Sequence, residues 1–479
     1  MCRAIIVVFL QLVSLLLACS NDLAATAPQN LVTSLPGLDG ALPFHLETGY
    51  VTVDEENGAE LFYYFVWSED DHRRDPVLLW LTGGDRCSVL SGLAFEIGPV
   101  KFIEEPYEGG VPRLKYNPYS WTKVASVLFV DWPVGAGFSF SRDPRGYDAG
   151  LGDVPATLHL KKFLTKWFTD HLEYLGNPFY VGGDSYAGKI VPFLAQMISE
   201  DIEAGNRPHL NLQGYLVGNP VTGELVDFNS AVPFAHGMGI ISDQLYERIT
   251  RLCQGEDYIQ PKKASCAEVL DIFNYVLDNE ISKPHVLYPR CIYVTSESNN
   301  ERSNFITLQN RNILMEETGI SRGPPPRPPI YCMSYKNYLS YFWANSDATR
   351  KALGIKKGSV DEWVRCHSNR RPSTNQDIRS SIKYHRNVTL KGYRSLVYSG
   401  DHDIAIPFLG TQAWVRSLNF SILDDWRAWH LDGQSAGFTI TYSNNMTFAT
   451  IKSGGHTAPE YQPERCFAMI QRWISRRPL

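Results

Sequence analysis

The tightest restriction on how this chain can fold is a set of short runs made only of apolar or aromatic residues. They are Val77-Leu78-Leu79-Trp80-Leu81, Val127-Leu128-Phe129-Val130, Phe179-Tyr180-Val181, Tyr215-Leu216-Val217 and Leu396-Val397-Tyr398. A strand with one wet face alternates apolar with polar residues, so uninterrupted runs of this length belong to strands buried on both faces, as in a parallel sheet. Each run ends in a loop containing Gly, Asp or Pro, and helical periodicity lies between them. From Ile190, the positions Val191, Phe193, Leu194, Met197, Ile198 and Ile202 keep helical spacing, as do Phe467, Ile470, Trp473 and Ile474 after Pro463. Strands alternating with helices predict an α/β fold with a mainly parallel central sheet flanked by helices. A hairpin precedes it: Tyr50-Val51-Thr52-Val53 and Leu61-Phe62-Tyr63-Tyr64-Phe65-Val66 flank an Asn57-Gly58 turn. With 44% apolar residues over 479 positions, the chain can fill such a core.

Chemistry enters at Gly183-Asp184-Ser185-Tyr186-Ala187-Gly188, between the run ending at Val181 and a helix predicted to start near Lys189. A tight strand-to-helix turn with small neighbours is how a nucleophile elbow lifts a serine hydroxyl above a sheet, and the helix start points N–H groups toward developing negative charge. Position 187 is Ala where the usual Gly-x-Ser-x-Gly pattern has Gly, so Ser185 needs partners before it reads as a nucleophile. Two loops supply them. Ser399-Gly400-Asp401-His402-Asp403 follows the run at 396–398, and Ser453-Gly454-Gly455-His456 follows Phe448-Ala449-Thr450-Ile451. The order Ser, Asp, His, each at a strand end, is that of the α/β-hydrolase fold. Spacing alone does not choose between Asp401 and Asp403.

The first residues speak to compartment. Arg3 precedes an apolar stretch from Ala4 to Ala18, after which Cys19-Ser20-Asn21-Asp22 turns polar. This has the form of a secretory signal peptide over residues 1–20, shorter than the roughly 20 apolar residues of a membrane anchor. Asn387-Val388-Thr389, Asn419-Phe420-Ser421 and Asn445-Met446-Thr447 are N-glycosylation acceptors, consistent with that route. Without Cys2 and Cys19, seven cysteines remain, predicting three disulfides and one thiol. None has zinc-type spacing, and no metal or organic cofactor is expected. A net charge of -6 gives no reason to expect nucleic acid as a partner. Oligomeric state leaves no trace in the sequence.

Within an expected catalytic domain spanning 27–479, the strand–helix rhythm lapses from about Thr222. Residues 222–335 read as a cap inserted over the sheet edge. Inside it, residues 296–329 are rich in Asn, Ser and Arg and close on Gly323-Pro324-Pro325-Pro326-Arg327-Pro328-Pro329, the composition of an exposed, mobile and cleavable linker.

Taken together, these blocks resemble the plant serine carboxypeptidase-like proteins, from about residue 36 to the C-terminus. The likeness runs through Trp80-Leu81-Thr82-Gly83-Gly84, Phe95-Glu96-Ile97-Gly98-Pro99, Asp131-Trp132-Pro133-Val134-Gly135 and Gly218-Asn219-Pro220, besides the three loops above. The resemblance selects Asp403 as the catalytic acid and implies an oxyanion hole from the backbone N–H groups of Gly84 and Tyr186, a donor of that kind contributing about 3 kcal/mol to barrier lowering. It also implies the disulfides Cys87–Cys366, Cys253–Cys266 and Cys291–Cys332, leaving Cys466 as a buried thiol. Where the family carries Pro-Gly-Cys-Ser, this chain reads Asp85-Arg86-Cys87-Ser88. Arg86 either pairs on the surface, attracts an acidic substrate, or impairs turnover.

Similar carboxypeptidases grip a peptide's terminal carboxylate with an asparagine in Asn-Gly-Gly and a glutamate before the nucleophile. Here those positions hold Thr82, with one donor instead of two, and Asp184, one methylene shorter. Gly83 and Glu96 complete the expected substrate-binding set, Glu96 sharing a proton with Asp184 and implying an acidic compartment such as a vacuole. Thr-Gly-Gly with Gly-Asp-Ser-Tyr resembles the branch of the family that moves acyl groups from 1-O-glucose esters to small-molecule acceptors. Acyl transfer is therefore the expectation. A serine exocarboxypeptidase acting on peptide C-termini is the alternative, and a catalytically impaired binding protein the third reading. The product is expected to be secreted or vacuolar.

Overall fold

The computed structural model describes residues 30–84, 86–143, 147, 151–292, 323–367 and 376–479. The signal expected at 1–20, Asp85, and residues 296–322 of the expected linker lie outside the described residues.

The N-terminal hairpin forms as the Asn57-Gly58 turn predicts. After β1 (Asn30–Val32), β2 (Leu46–Asp54) and β3 (Ala59–Val66) pair antiparallel. The apolar runs become β4 (Val77–Leu81), β7 (Ser126–Val130), β9 (Phe179–Asp184), β10 (Leu212–Gly218) and β11 (Arg394–Gly400). Between β4 and β7 sits a small separate pair, β5 (Val100–Phe102) and β6 (Leu114–Tyr116); β8 (Phe140–Ser141) pairs with β3. After β11 come β12 (Ile422–Leu431), β13 (Gln434–Tyr442) and β14 (Met446–Ile451). The main sheet runs β1-β2-β3-β7-β4-β9-β10-β11-β14-β13-β12, and β7, β4, β9, β10, β11 and β14 are mutually parallel.

The doubly apolar strands have the cause inferred for them. Along β4, Leu78 and Trp80 enter one apolar layer, and Val77, Leu79 and Leu81 the other. The second layer is closed by α1 (Asp153–Asp170), through Phe163, Leu164 and Trp167, and by α2 (Ala187–Glu203), through Ile190, Val191 and Leu194. Helix α2 starts two residues before its predicted position. After the short α3 (Val226–Asn229), whose Val226 packs against the second layer, a third apolar cluster involves α4 (Ala231–Gly237), α5 (Asp243–Leu252) and α6 (Ala264–Asn279). These helices occupy the region read as a cap. Then come α7 (Tyr335–Asn345), whose Tyr335, Leu339 and Trp343 join the first layer, α8 (Asp347–Ala352), α9 (Ile382–Leu390) and α10 (Phe408–Ser417). The chain closes with α11 (Ala458–Tyr461) and α12 (Pro463–Ile474), whose Met469, Ile470 and Trp473 cover the first layer.

Cys87 joins Cys366, Cys253 joins Cys266 and Cys291 joins Cys332, with Cys466 a buried free thiol. Asn387, Asn419 and Asn445 are all exposed. Among the described residues no helix is long and apolar enough to cross a membrane.

Candidate active site

The ends of β9, β11 and β14 bring the three expected side chains together. Ser185 sits in the turn between β9 and α2 with φ +51°, a left-handed conformation that costs a non-glycine residue about 1–2 kcal/mol. Surrounding bonds enforce it: the Ser185 N–H donates to Gly218 O (2.9 Å), while its carbonyl accepts from the N–H groups of Gly188 and Val221 (both 2.9 Å). The Ser185 Oγ lies 2.8 Å from His456 Nε2, and His456 Nδ1 lies 2.7 Å from Asp403 Oδ2.

The structure separates the two aspartates that spacing could not. Asp403 is wholly buried and accepts from Asn219 Nδ2 (2.9 Å) and from the Ala405 and Ile406 N–H groups (2.8 and 3.2 Å). Asp401 instead accepts from the Ser453 N–H (2.7 Å) and contacts its neighbour His402, bracing the histidine loop from outside. Burial disfavours the His456 imidazolium, but the Asp403 carboxylate at its Nδ1 outweighs burial and holds its pKa above the ordinary value. Asn219 also accepts from the Gly400 N–H (3.1 Å), so it holds the acid loop and the acid together.

Beside the serine runs the loop Thr82-Gly83-Gly84. A Cβ on Gly83 would lie 2.4 Å from the Ser185 Cβ, which explains why the position tolerates no side chain. Gly84 has φ +86° and lies against the Cys87 sulfur. Arg86, two residues on, also adopts a left-handed backbone, φ +52°, at the position where the resemblance leads one to expect glycine. The segment is clamped from behind. Asp131 accepts from Ser88 Oγ (2.7 Å) and from the Val89 and Phe138 N–H groups (both 2.8 Å). On the other side, the Ser88 N–H donates to Arg365 O (2.7 Å) next to the Cys87–Cys366 disulfide.

The expected substrate-binding residues form one internally bonded group. Thr82 Oγ1 donates to Glu96 Oε1 (2.9 Å), Trp80 Nε1 donates to Glu96 Oε2 (2.9 Å), and the Gly83 N–H donates to Asp184 Oδ1 (2.7 Å). Burial raises Asp184 from 3.8 to about 6, and burial together with repulsion from Asp184 raises Glu96 far above the usual carboxylate range. Sequence reasoning missed the charges around this pair. Glu460, three residues after Thr457, is ion-paired with Lys336, which overcomes burial and keeps its carboxyl below the ordinary value. The Lys101 ammonium donates to the Phe95 and Glu96 carbonyls. The Arg365 guanidinium is lowered by burial but attracted by Glu460, Glu96 and Asp184. No local motif marks these residues; the disulfide beside Arg365 was the one available signal. Among the described residues, no group of three or more His, Cys, Asp or Glu side chains is arranged to hold a metal ion.

This arrangement holds a hydroxyl against an imidazole, the imidazole against a buried acid, and two proton-retaining carboxyls a short distance away. Comparison with known proteins finds relatives along nearly the whole chain. "Serine carboxypeptidase-like 19" of Arabidopsis thaliana is 47% identical over 453 residues, covering 94% of this chain and 95% of that protein. "Serine carboxypeptidase-like 7" of the same plant is 44% identical over 471 residues and 98% of each chain. Among solved structures, the prohormone-processing carboxypeptidase Kex1(delta)p of Saccharomyces cerevisiae superposes with a TM-score of 0.64 over 90% of this chain and 91% of its own, at 20% identity, which speaks to the fold alone. The profile described as serine carboxypeptidase matches residues 36–476, and the chain belongs to the serine carboxypeptidase family.

Proposed function

We propose that the chain is a serine acyltransferase that takes an acyl group from an activated ester, of the 1-O-glucose type, and delivers it to a hydroxyl or amine of a small molecule. His456 Nε2 takes the proton of Ser185 as Oγ bonds to the acyl carbon, and returns it to the leaving sugar oxygen as the ester bond breaks. The acceptor then loses its proton to His456 as it attacks the acyl-serine, and Ser185 recovers that proton on leaving. Asp403 fixes the imidazole tautomer, and the Gly84 and Tyr186 N–H groups face the transient oxyanion.

The observation that carries transfer over peptide hydrolysis is the internal bonding of the pocket. The single Thr82 donor is spent on Glu96, and the Gly83 N–H is spent on Asp184. A free terminal carboxylate would have to displace both acids to be held there. A neutral ester makes no such demand.

The exopeptidase reading is favoured by a different observation. Glu96 and Asp184 keep their protons to higher pH than ordinary carboxyls, and Arg365 brings a cation to them. A carboxylate could therefore be received at acid pH. Three disulfides and three exposed glycosylation acceptors support passage through an oxidising secretory route, toward secretion or a vacuole.

Two assays separate the readings: acyl exchange from a 1-O-glucose ester to an added alcohol, and release of C-terminal residues from blocked dipeptides. Exchange exceeding peptide cleavage is the expected result; cleavage at acid pH without exchange refutes transfer. A fluorophosphonate probe tests catalysis itself. Labelling that is absent in the wild type, or undiminished in Ser185→Ala, leaves only the binding-protein reading.

A further inference from the structure

Behind the expected oxyanion residue Tyr186 lies a buried charge pair that the chemistry above does not use. Asp153, the first residue of α1, and Lys189, in the first turn of α2, are each 2% exposed. Lys189 Nζ lies 3.4 Å from Asp153 Oδ2. The Tyr186 hydroxyl donates to Asp153 Oδ1 at 2.6 Å, and the Lys189 ammonium sits 5.2 Å from the centroid of the Tyr186 ring. The Ile378 N–H donates to the same Asp153 Oδ2 that faces Lys189 (3.3 Å).

We propose that Asp153 and Lys189 are positioning residues that hold Tyr186 by its ring and so aim its backbone N–H at the oxyanion. This rests on the acyl-serine reading of Ser185. A trans peptide is planar, with its C=O and N–H on opposite sides. The Ser185 carbonyl is fixed by the Gly188 and Val221 N–H groups, so the Tyr186 N–H points the other way. Relaxation of the strained Ser185 φ would pull that carbonyl off its donors and turn the plane, swinging the Tyr186 N–H away, so the plane needs a hold on its far side too. A phenol bonded to a buried carboxylate, with an ammonium over the ring face, anchors the far end of the same residue in two directions. Stability is a poor explanation for the pair, since a buried ion pair is often matched or bettered by apolar side chains of similar volume. Two charges holding one ring do supply what an oxyanion donor requires, a fixed direction before the charge develops.

The test uses the full chain with Tyr186→Phe, Asp153→Asn, Lys189→Met and the Tyr186→Phe/Asp153→Asn double variant. Two readouts report on the hole: the second-order rate of fluorophosphonate labelling, and the affinity for phenylboronic acid, which binds Ser185 as a tetrahedral anion. Each single variant is expected to lower both by about 10-fold or more. The double variant should lose no more than the worse single, because both act through one hydroxyl. The pH at which labelling is half-maximal should stay that of the wild type, since His456 and Asp403 are untouched. The proposal is overturned if folded Tyr186→Phe labels and binds boronate within twofold of the wild type, or if the single losses multiply. Should Asp153→Asn not fold, Tyr186→Phe alone decides. A folded wild type that does not label refutes the acyl-serine reading instead.

Discussion

Replacing Asp184 by Asn should make the protein more stable at neutral pH, although the residue adjoins the nucleophile. Burial shifts this carboxyl from 3.8 to about 6, against the opposing pull of the His456 charge and the Gly83 N–H. Between those values the folded chain holds a proton that the unfolded chain has released. Stability therefore falls as pH rises through that window and stays low above it. At 1.36 kcal/mol per pH unit, the ionised form costs about 3 kcal/mol of stability at pH 7. Asn has no proton to lose, and its Oδ1 can still accept from the Gly83 N–H. Glu96, relieved of repulsion from Asp184, should ionise more easily in the variant, which adds to the effect with the same sign. Urea unfolding of both proteins, followed by tryptophan fluorescence at about pH 3.5, 5 and 7, measures the difference. The stability of Asp184→Asn minus that of the wild type should grow by about 3 kcal/mol across the series. A difference that is flat in pH, or that shrinks, would falsify the claim that this carboxyl is held protonated by burial.

Asp403→Asn presents an amide to His456 Nδ1, favouring the tautomer whose proton sits on Nε2, where it cannot accept from Ser185. Fluorophosphonate labelling should slow by about 10⁴-fold without loss of fold, and a loss below tenfold would remove Asp403 from its assigned role. Arg86→Gly relieves a left-handed backbone at φ +52°, offset by the greater freedom of unfolded glycine. It should raise stability by about 0.5–1 kcal/mol in urea unfolding, and destabilisation would show that the Arg86 side chain contributes contacts worth more than the strain.

What the chain discloses by itself is whatever depends on local pattern. Uninterrupted apolar runs mean strands covered twice, and the layers formed by Leu78 with Trp80 and by Leu79 with Leu81 are that inference made physical. Gly-Asp-Ser-Tyr between a strand and a helix marks an elbow because few other sequences permit so tight a turn. The β12–β13 hairpin escaped notice for the converse reason: much of its outer strand faces solvent, so no apolar rhythm betrays it.

Tertiary structure decided the matters that depend on distance across the fold. Asp401 and Asp403 are alike in sequence, and the direction each side chain takes from one loop gives one to the imidazole and the other to the backbone of Ser453. Arg365, Lys336 and Glu460 carry no motif, and they meet near Glu96 and Asp184, far away in the chain, only because the strands, helices and a disulfide deliver them there. The same holds for Asp153 behind Tyr186. Charge acts through space, so its partners follow from packing and cannot be read from order along the chain.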